Sequence, residues 1–518
     1  MKVPSDELHP RKVGKTPSKL TKHSNKTPTS KPLRGPFSIF VACLPGLEPL
    51  LYEELSYLLQ SSEISEQSKA KVIPGGVEVT IPSLAYLYVL HLYLGTASHI
   101  YLRLNGGDRS AGLPPLFRAR GFPELQRKLK DLMVSQQWDR WFDIPRSRTN
   151  CVREESELTW QLQVHVTTSK SKLMHTKAVE ERVRETIGEV LGVKGLDSTN
   201  SACGVEATAN GSNKSLDVRP VVRLLVRIDR DEVQLSLDTS SSSSAIPLHM
   251  RGYRLNPHKA PLREDLAFAL LMAGGLKPRW NLQPLRPWLI KDDAEINGVF
   301  DSNMKNDEVE SSVQLFDPLC GSGTIAIEGA SILAGLPPGR FRPPPLEGTR
   351  LYDTSLWNNI KLRALSSSLL LANVDADART IMVAANDINK DAIHAAISNS
   401  KRAGVENFID FTIGSFKIHP LSNRSPQQST YKISDSRDLL IVTNPPYGKR
   451  MLSDESNSIY KQIANALKSL PYRIRCTIIG KEPRSLRESS LPLRVAFSTK
   501  QGGLSVVAMS TDQLDSSW

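Results

Sequence analysis

Residues 315–324 read LFDPLCGSGT. Leu315–Phe316 has the apolar character of a strand, Asp317 ends it, and Gly321 and Gly323 form a turn. A helix of small residues, Ile325–Ala334, is expected next. Strand, Gly-x-Gly turn and helix in this order start a nucleotide-binding α/β sheet. Glycine has no Cβ, so the backbone bends tightly there and lies close to a bulky ligand. A carboxylate at the strand end suits hydroxyls or an amine and suits a pyrophosphate badly. A Gly-x-Gly segment also occurs as a plain turn, and the downstream chain decides between the two.

Downstream, IMVAAND (381–387) reads as a strand ending in Asp387, followed by a helix over Lys390–Ala403 and a strand over Ile409–Ile413. DLLIVTN (438–444) is a further strand, closed by Pro445–Pro446. A helix over Ser458–Leu470, a strand over Arg473–Ile479 and paired strands at Arg494–Thr499 and Gly503–Met509 complete the pattern. This alternation specifies a mostly parallel, doubly wound α/β sheet. The last hairpin is expected to make its edge antiparallel.

Ligands of such sheets sit at the carboxyl ends of the strands. Asp387 can take both hydroxyls of a ribose; the alternative is a helix N-cap shared with Asn386 or Asn389. It lies 64 residues past Gly323, where a dinucleotide fold expects about 20. The Pro-rich stretch 336–350 and a helix near Leu356–Leu371 fill that distance. Asn444-Pro445-Pro446-Tyr447 is the more specific signal. Two prolines fix the backbone and carry no N–H, which leaves the carbonyls there free to accept. The Asn444 oxygen and the Pro445 carbonyl can together take both protons of a planar amine, with Tyr447 stacked on the base. That holds the nitrogen lone pair toward an electrophile such as a sulfonium methyl. The help is in-line positioning, and no metal or covalent nucleophile is required.

The 518 residues carry a net charge of +12 and are 39% hydrophobic, enough for two or three domains. The basic excess favours an anionic partner, most often nucleic acid. No apolar run reaches the roughly 18–20 residues of a membrane span. Cys43, Cys151, Cys203, Cys320 and Cys476 are far apart, against a structural zinc or a disulfide scaffold. Residues 1–36 are rich in Lys, Pro, Ser and Thr without an aromatic and read as a disordered basic tail. A transit peptide is the competing reading, against which stand Asp6, Glu7 and the preference for Lys over Arg. The expected compartment is the cytoplasm, with nucleus or organelle as the alternative if the tail is a targeting signal.

Residues 37–157 read as a small α+β domain, starting with a strand over Phe37–Cys43 and a turn at Pro45–Gly46. A second α+β unit covers 158–245, with WQLQVHVT as a strand, a helix over Thr176–Leu191 and a hairpin over 221–240. Lys170, Lys172, His175, Lys177, Arg182 and Arg184 gather positive charge at the loop and helix start. The cluster is a phosphate-binding candidate; each residue singly also fits a solvated helix face. Residues 246–312 form a linker helix, Arg263–Ala273, and an insertion, and 313–512 the catalytic domain. Polar insertions are expected at 198–216, 281–312 and 417–436.

FDPLCGSGTIAIEGA, ANDINKDAIHAAISNSKRAGV and IVTNPPYGKRM resemble motifs of S-adenosylmethionine-dependent class I methyltransferases. More narrowly, with CLPGLEPLLYEEL, SKSKLMHTKAVEERV and HMRGYRLNPHKAPLRED before them, they resemble the THUMP-containing RNA guanine-N2 methyltransferases of bacterial large-subunit rRNA. The resemblance implies a Rossmann-like domain behind a ferredoxin-like domain (37–157) and a THUMP-like RNA-binding domain (158–245). It implies that Asp317, Cys320, Gly321, Ser322 and Gly323 cradle the methionine part of the cofactor. Asp387 would hold the ribose and Ile388 the adenine; Asn444, Pro445, Pro446 and Tyr447 would hold the target base. The family usually has an acid after the strand Ile409–Ile413, where this chain has Gly414-Ser415; Ser415 can still hydrogen-bond the adenine amine. The expected activity is methyl transfer to a guanosine N2 in structured RNA, rRNA ahead of tRNA. The alternatives are the same chemistry on another planar amine, or a non-catalytic RNA-binding protein.

Overall fold

The computed structural model describes residues 35–60, 70–107, 112–136, 138, 141–142, 160–193, 220–240, 246–255, 262–278, 280, 282, 285, 313–366, 368, 383–415, 438–446, 461, 465, 473–481 and 493–511. The N-terminal tail up to residue 34, the expected insertions at 198–216 and 417–436, all but residues 282 and 285 of the expected insertion at 281–312, most of the helix Ser458–Leu470, and Tyr447 lie outside the described residues.

Two sheets organise the chain from Arg34 onward. The front sheet uses β1 Phe37–Cys43, β2 Lys71–Ile73, β3 Gly76–Ile81, β4 Ala97–Arg103, β6 Gln161–Ser169, β7 Val221–Asp229 and β8 Glu232–Asp238. Their order is β2-β3-β1-β4-β8-β7-β6, with the short β5, Phe117–Arg118, on β8. Phe37, Ile39, Val41 and Cys43 alternate inward on β1, and Leu162, Val164 and Val166 do so on β6. That period of two pins the register, because a one-residue slip would turn every apolar side chain outward. Helices α1 Glu48–Gln60, α2 Leu84–Tyr93, α3 Phe122–Ser135 and α4 Thr176–Leu191 accompany this sheet. On α4, Val179, Val183 and Ile187 recur at helical spacing and are buried, and Gly192 ends the helix in the left-handed region at φ 70°. Strands from 37–103 and from 161–238, which the sequence divides between two units, hydrogen-bond in one sheet through β4 and β8. β2 and β5 are too short to leave a periodic signal.

The second sheet is built from β9 Val313–Asp317, β10 Val383–Asp387, β11 Ile409–Ile413, β12 Asp438–Thr443, β13 Arg473–Gly480, β14 Arg494–Gln501 and β15 Leu504–Ser510. Its order is β11-β10-β9-β12-β13-β15-β14. β9 to β13 are parallel, as the strand–helix alternation requires. The expected antiparallel edge is placed differently. β15 is the reversed strand and inserts between β13 and β14. The edge strand β14 therefore runs with the parallel set.

α5, Glu264–Ala273, packs against α1 in front and against β13 and α6 (Thr324–Leu333) behind. The structure buries every residue of α5. Leu266, Phe268, Leu270 and Leu271 are fully enclosed, each burial contributing about 1.5–3 kcal/mol. The two first-turn acids are buried with partners: Glu264 receives Arg254 Nη2 at 2.8 Å and Asp265 receives Arg263 Nη2 at 2.6 Å.

The Pro-rich stretch 336–350 has no regular structure, yet it ties the two sheets together. Arg340 donates to Ser331 Oγ and to the Ala403 carbonyl, at the C-terminal ends of α6 and of α8, Lys390–Ala403. Arg342 donates to the His91 carbonyl at 2.6 Å and to the Leu248 carbonyl in the front half. Each guanidinium meets one carbonyl that a helix end leaves unpaired, Ala403 for Arg340 and His91 for Arg342. α7, Thr354–Ser366, completes the helices near α2.

Candidate active site

The chain passes from β9 to β10 and β11 on one side, then returns to β12 on the other. The order therefore reverses between β9 and β12, and a doubly wound sheet has its crevice at that point, outside the carboxyl ends. Asp317 ends β9, Asp387 ends β10, and Asn444 follows β12. In register, Ala385 lies opposite Asp317 and Ile441 opposite Phe316. The structure thus brings all three strand-end residues to one rim.

The turn after Asp317 is fixed from two neighbouring elements. The Cys320 N–H donates to the Asn386 carbonyl at 2.9 Å, and the Gly321 N–H donates to Asp387 Oδ2 at 2.9 Å. Gly321 and Gly323 adopt φ of 52° and 83°, the left-handed region that glycine enters without penalty. They serve different ends. A Cβ on Gly323 would meet the Ala396 Cβ of α8 at 2.9 Å, whereas a Cβ on Gly321 would meet nothing within 4 Å. Gly323 is a helix-packing glycine, and Gly321 faces open space.

Asp317 is buried, and its carboxylate receives one backbone N–H, from Leu319 at 3.3 Å. Burial pushes its pKa up to about 8, and the nearby Asp387 charge adds to the rise. The Thr443 hydroxyl draws it partly back, although its Oγ1 has no partner at hydrogen-bond geometry. Burial and the same two acids keep the Cys320 thiol neutral, well above its ordinary value. Ser322 is buried in the turn.

Asp387 is half-buried. Its Oδ1 accepts the Asn389 N–H at 2.8 Å while Oδ2 holds Gly321. A carboxylate has about four lone-pair positions, so both oxygens can accept again. The helix cap is Asn389, whose side chain takes the Asp391 and Ala392 N–H groups. Asp387 is thereby free of the capping role. Ile388 is 74% exposed and Ile413, at the end of β11, 54%. Such exposed apolar side chains beside a polar crevice suit a flat aromatic guest. Gly414 binds back to the Asp387 carbonyl, and Ser415 is exposed.

Asn444 Oδ1 is buried without a hydrogen-bond partner among the described residues. Pro445 is buried and Pro446 exposed. An unmet buried acceptor costs about 1–3 kcal/mol, a cost that a donor from a ligand removes.

Sequence reasoning missed the residues that brace this rim. Asn386 donates to the Pro318 and Gly414 carbonyls and accepts from Thr412 Oγ1. Asn399 of α8 donates to the Ser322 carbonyl at 3.1 Å. The available signal was a polar residue on the buried α8 face, at helical spacing from Ala392 and Ala396.

In the front half, Lys170, Lys172, His175, Lys177 and Arg182 are all exposed along the β6–α4 loop and α4. Arg182 is paired with Glu185 and Arg184 with Glu180. The loop is braced by the β7–β8 hairpin: Ser171 Oγ accepts the Asp231 N–H, and Asp231 Oδ1 accepts the Lys172 N–H. Lys170, Arg230 and Asp231 all hold positive φ there, which costs strain in residues other than glycine.

Residues 304–490 match the family described as RMKL-like, methyltransferase domain. A protein of Marinomonas sp. (strain MWYL1), "Ribosomal RNA large subunit methyltransferase K/L", is 31% identical over 248 residues, 47% of this chain and 28% of that protein. Its namesake from Methylococcus capsulatus is 28% identical over 433 residues, 83% of this chain and 45% of that protein. The chain thus spans less than half the length of these relatives. The solved structure of SMU.472 complexed with SAH has a TM-score of 0.61 at 18% identity, covering 92% of this chain and 98% of that one, a likeness of fold. No helix among the described residues is long and apolar enough to cross a membrane. The strand order β11-β10-β9-β12-β13-β15-β14 and the rim of Asp317, Asp387 and Asn444 thus lie in and just beyond the 304–490 stretch that matches the RMKL-like methyltransferase domain.

Proposed function

We propose that this chain is an S-adenosylmethionine-dependent RNA methyltransferase acting on the exocyclic N2 amine of a guanosine, in rRNA by preference. The observation that carries this reading is the unpartnered, buried Asn444 Oδ1 at the switch point, beside a glycine turn with open space at Gly321. The relatives named as large-subunit rRNA methyltransferases support the substrate class.

The crevice fits the cofactor. Asp317, Cys320, Gly321, Ser322 and Gly323 would take its methionine part. Asp387 has lone pairs left for two ribose hydroxyls, Ile388 offers an apolar wall to the adenine, and Ser415 a hydroxyl to its amine. When bound, the cofactor supplies an electrophilic methyl group on a sulfonium. The remaining work belongs to the chain. Asn444 Oδ1 and the Pro445 carbonyl accept hydrogen bonds from the two amine N–H groups, which holds the nitrogen lone pair toward the methyl. Pro446 stiffens that acceptor pair. A guanine in structured RNA leaves its stack to reach this rim. Lys170, Lys172, His175 and Lys177 would hold RNA phosphates away from the reacting base, with Arg182 weakened by its Glu185 partner. On this reading 37–157 is a ferredoxin-like unit, 158–245 a THUMP-like RNA-binding unit, 246–312 a linker and 313–512 the catalytic unit. The compartment is the cytoplasm; a targeting role of 1–36 would send it to the nucleus or an organelle.

The test is incubation of the full chain with methyl-labelled S-adenosylmethionine and total RNA, followed by nucleoside analysis. Label in 2-methylguanosine is expected. Label only in N6-methyladenosine or in protein overturns the guanine assignment.

A further inference from the structure

Asn399 and Arg402 belong to a ring around the glycine turn made of hydrogen bonds and covalent links, closed through the backbone of the turn and α6. Asn399 Nδ2 donates to the Ser322 carbonyl at 3.1 Å. Its Oδ1 accepts from Arg402 Nη2. Arg402 Nε donates to the Tyr253 carbonyl at 2.8 Å. The Tyr253 hydroxyl donates to Glu328 Oε1 at 2.8 Å, and Glu328 Oε2 lies 3.6 Å from Arg251 Nε. Glu328 stands on α6, the helix that the turn leads into. The ring therefore starts at Ser322 and returns to the same turn–helix unit. Asn399 is fully buried and Tyr253 and Glu328 nearly so, where water does not compete for these bonds.

The ring's placement concerns the turn more than the core. Ala396, one helical turn before Asn399, is the residue against which Gly323 packs. α8 thus touches the turn twice, once by shape at Gly323 and once by a hydrogen bond at Ser322. Gly321, the residue facing open space, lies between that contact and the strand end.

We propose that Asn399 and Arg402 are positioning residues for the cofactor turn. Arg402, anchored on the 248–254 segment, orients the Asn399 amide, and the amide sets the Ser322 carbonyl and with it the turn's path. This rests on the cofactor reading of the turn given above. A residue that only stabilises the fold would alter melting and leave ligand affinity alone.

The experiment is calorimetric titration of the full chain with S-adenosylhomocysteine, beside thermal melting, for the unmutated protein, Asn399→Asp, Arg402→Ala and Arg402→Lys. Asn399→Asp keeps the acceptor for Arg402 and removes the donor to Ser322. It is expected to weaken binding about tenfold, the effect of one buried hydrogen bond lost. Arg402→Ala is expected to weaken it about three- to tenfold, with part restored in Arg402→Lys. Arg402 is only half-buried, so its variants decide the matter if Asn399→Asp does not fold. Binding within twofold of the unmutated protein in the folded variants, whatever their melting temperatures, overturns the positioning role while leaving the cofactor reading intact. No binding by the unmutated protein overturns both.

Discussion

Glu54 and Asp317 are both buried carboxylates, one beside the front sheet and one at the rim of the second, and they are held differently. Glu54 accepts from the Gly95 N–H at 2.6 Å, the Thr96 N–H at 3.1 Å and the Thr96 hydroxyl at 2.5 Å. Asp317 accepts one backbone N–H at 3.3 Å. Burial raises both pKa values. The difference separates a scaffold carboxylate, whose partners are all within the protein, from one with acceptor capacity left over. At the end of the neighbouring strand, Asn444 Oδ1 has no hydrogen-bond partner among the described residues. Buried polar groups are paired by default, so capacity left over at adjacent strand ends points to a ligand.

The sharpest way to break this comparison is Asn444→Ala. Methyl transfer is expected to fall at least about 100-fold, as when one preorganised transition-state contact is removed. Melting is expected to stay within about 2 °C, because the lost oxygen bonds nothing among the described residues. A large drop in melting temperature would mean that Asn444 is a scaffold group like Glu54. Glu54→Ala is the converse. It strands three donors in the interior and is expected to cost about 3 kcal/mol in denaturant unfolding. Turnover per folded molecule should remain within about twofold, since distant sites act independently.

The rim was legible in the sequence because its signals are local. An acid after an apolar strand, a Gly-x-Gly turn and Asn-Pro-Pro each fall within a few residues, and the strand–helix alternation supplies the sheet. The bracing was not legible, since its partners are remote in the chain. Asn399 meets Ser322 across 77 residues, Arg402 meets Tyr253 across 149 and Arg342 meets His91 across 251. Periodicity shows which helix face is buried and says nothing of which carbonyl waits there. The choice between Asp387 and Asn389 as the cap of α8 turned on backbone direction, which composition does not carry. The reversed β15 shows the same limit, because hairpin pairing was evident and its placement within the sheet was not.

Asp317 sharpens the comparison through pH. Burial pushes its pKa up to about 8, so below that pH the carboxyl is protonated and neutral, and above it an anion. A ligand that donates hydrogen bonds or carries positive charge prefers the anion. S-adenosylhomocysteine affinity is therefore expected to rise with pH up to about 8 and then level, by at most about tenfold per unit. Asp317→Asn should flatten that profile. Titrations at several pH values check it, and an unchanged slope in Asp317→Asn would assign the dependence to another group.

The smallest effect concerns the two glycines of the turn, which look alike in sequence and differ in surroundings. At Gly323 an added methyl lies 2.9 Å from the Ala396 Cβ and 3.3 Å from its Cα, closer than carbon contacts tolerate, so α8 must move. Gly323→Ala is expected to lower stability by about 2 kcal/mol, from overpacking added to left-handed strain. At Gly321 the methyl enters open space, leaving the strain alone, about 1 kcal/mol. That open space is where the cofactor would lie. Gly321→Ala should therefore weaken S-adenosylhomocysteine binding more than it lowers melting, and Gly323→Ala the reverse. Equal ratios of the two effects in both variants would mean that the turn responds as one unit and that Gly321 has no separate role toward the ligand.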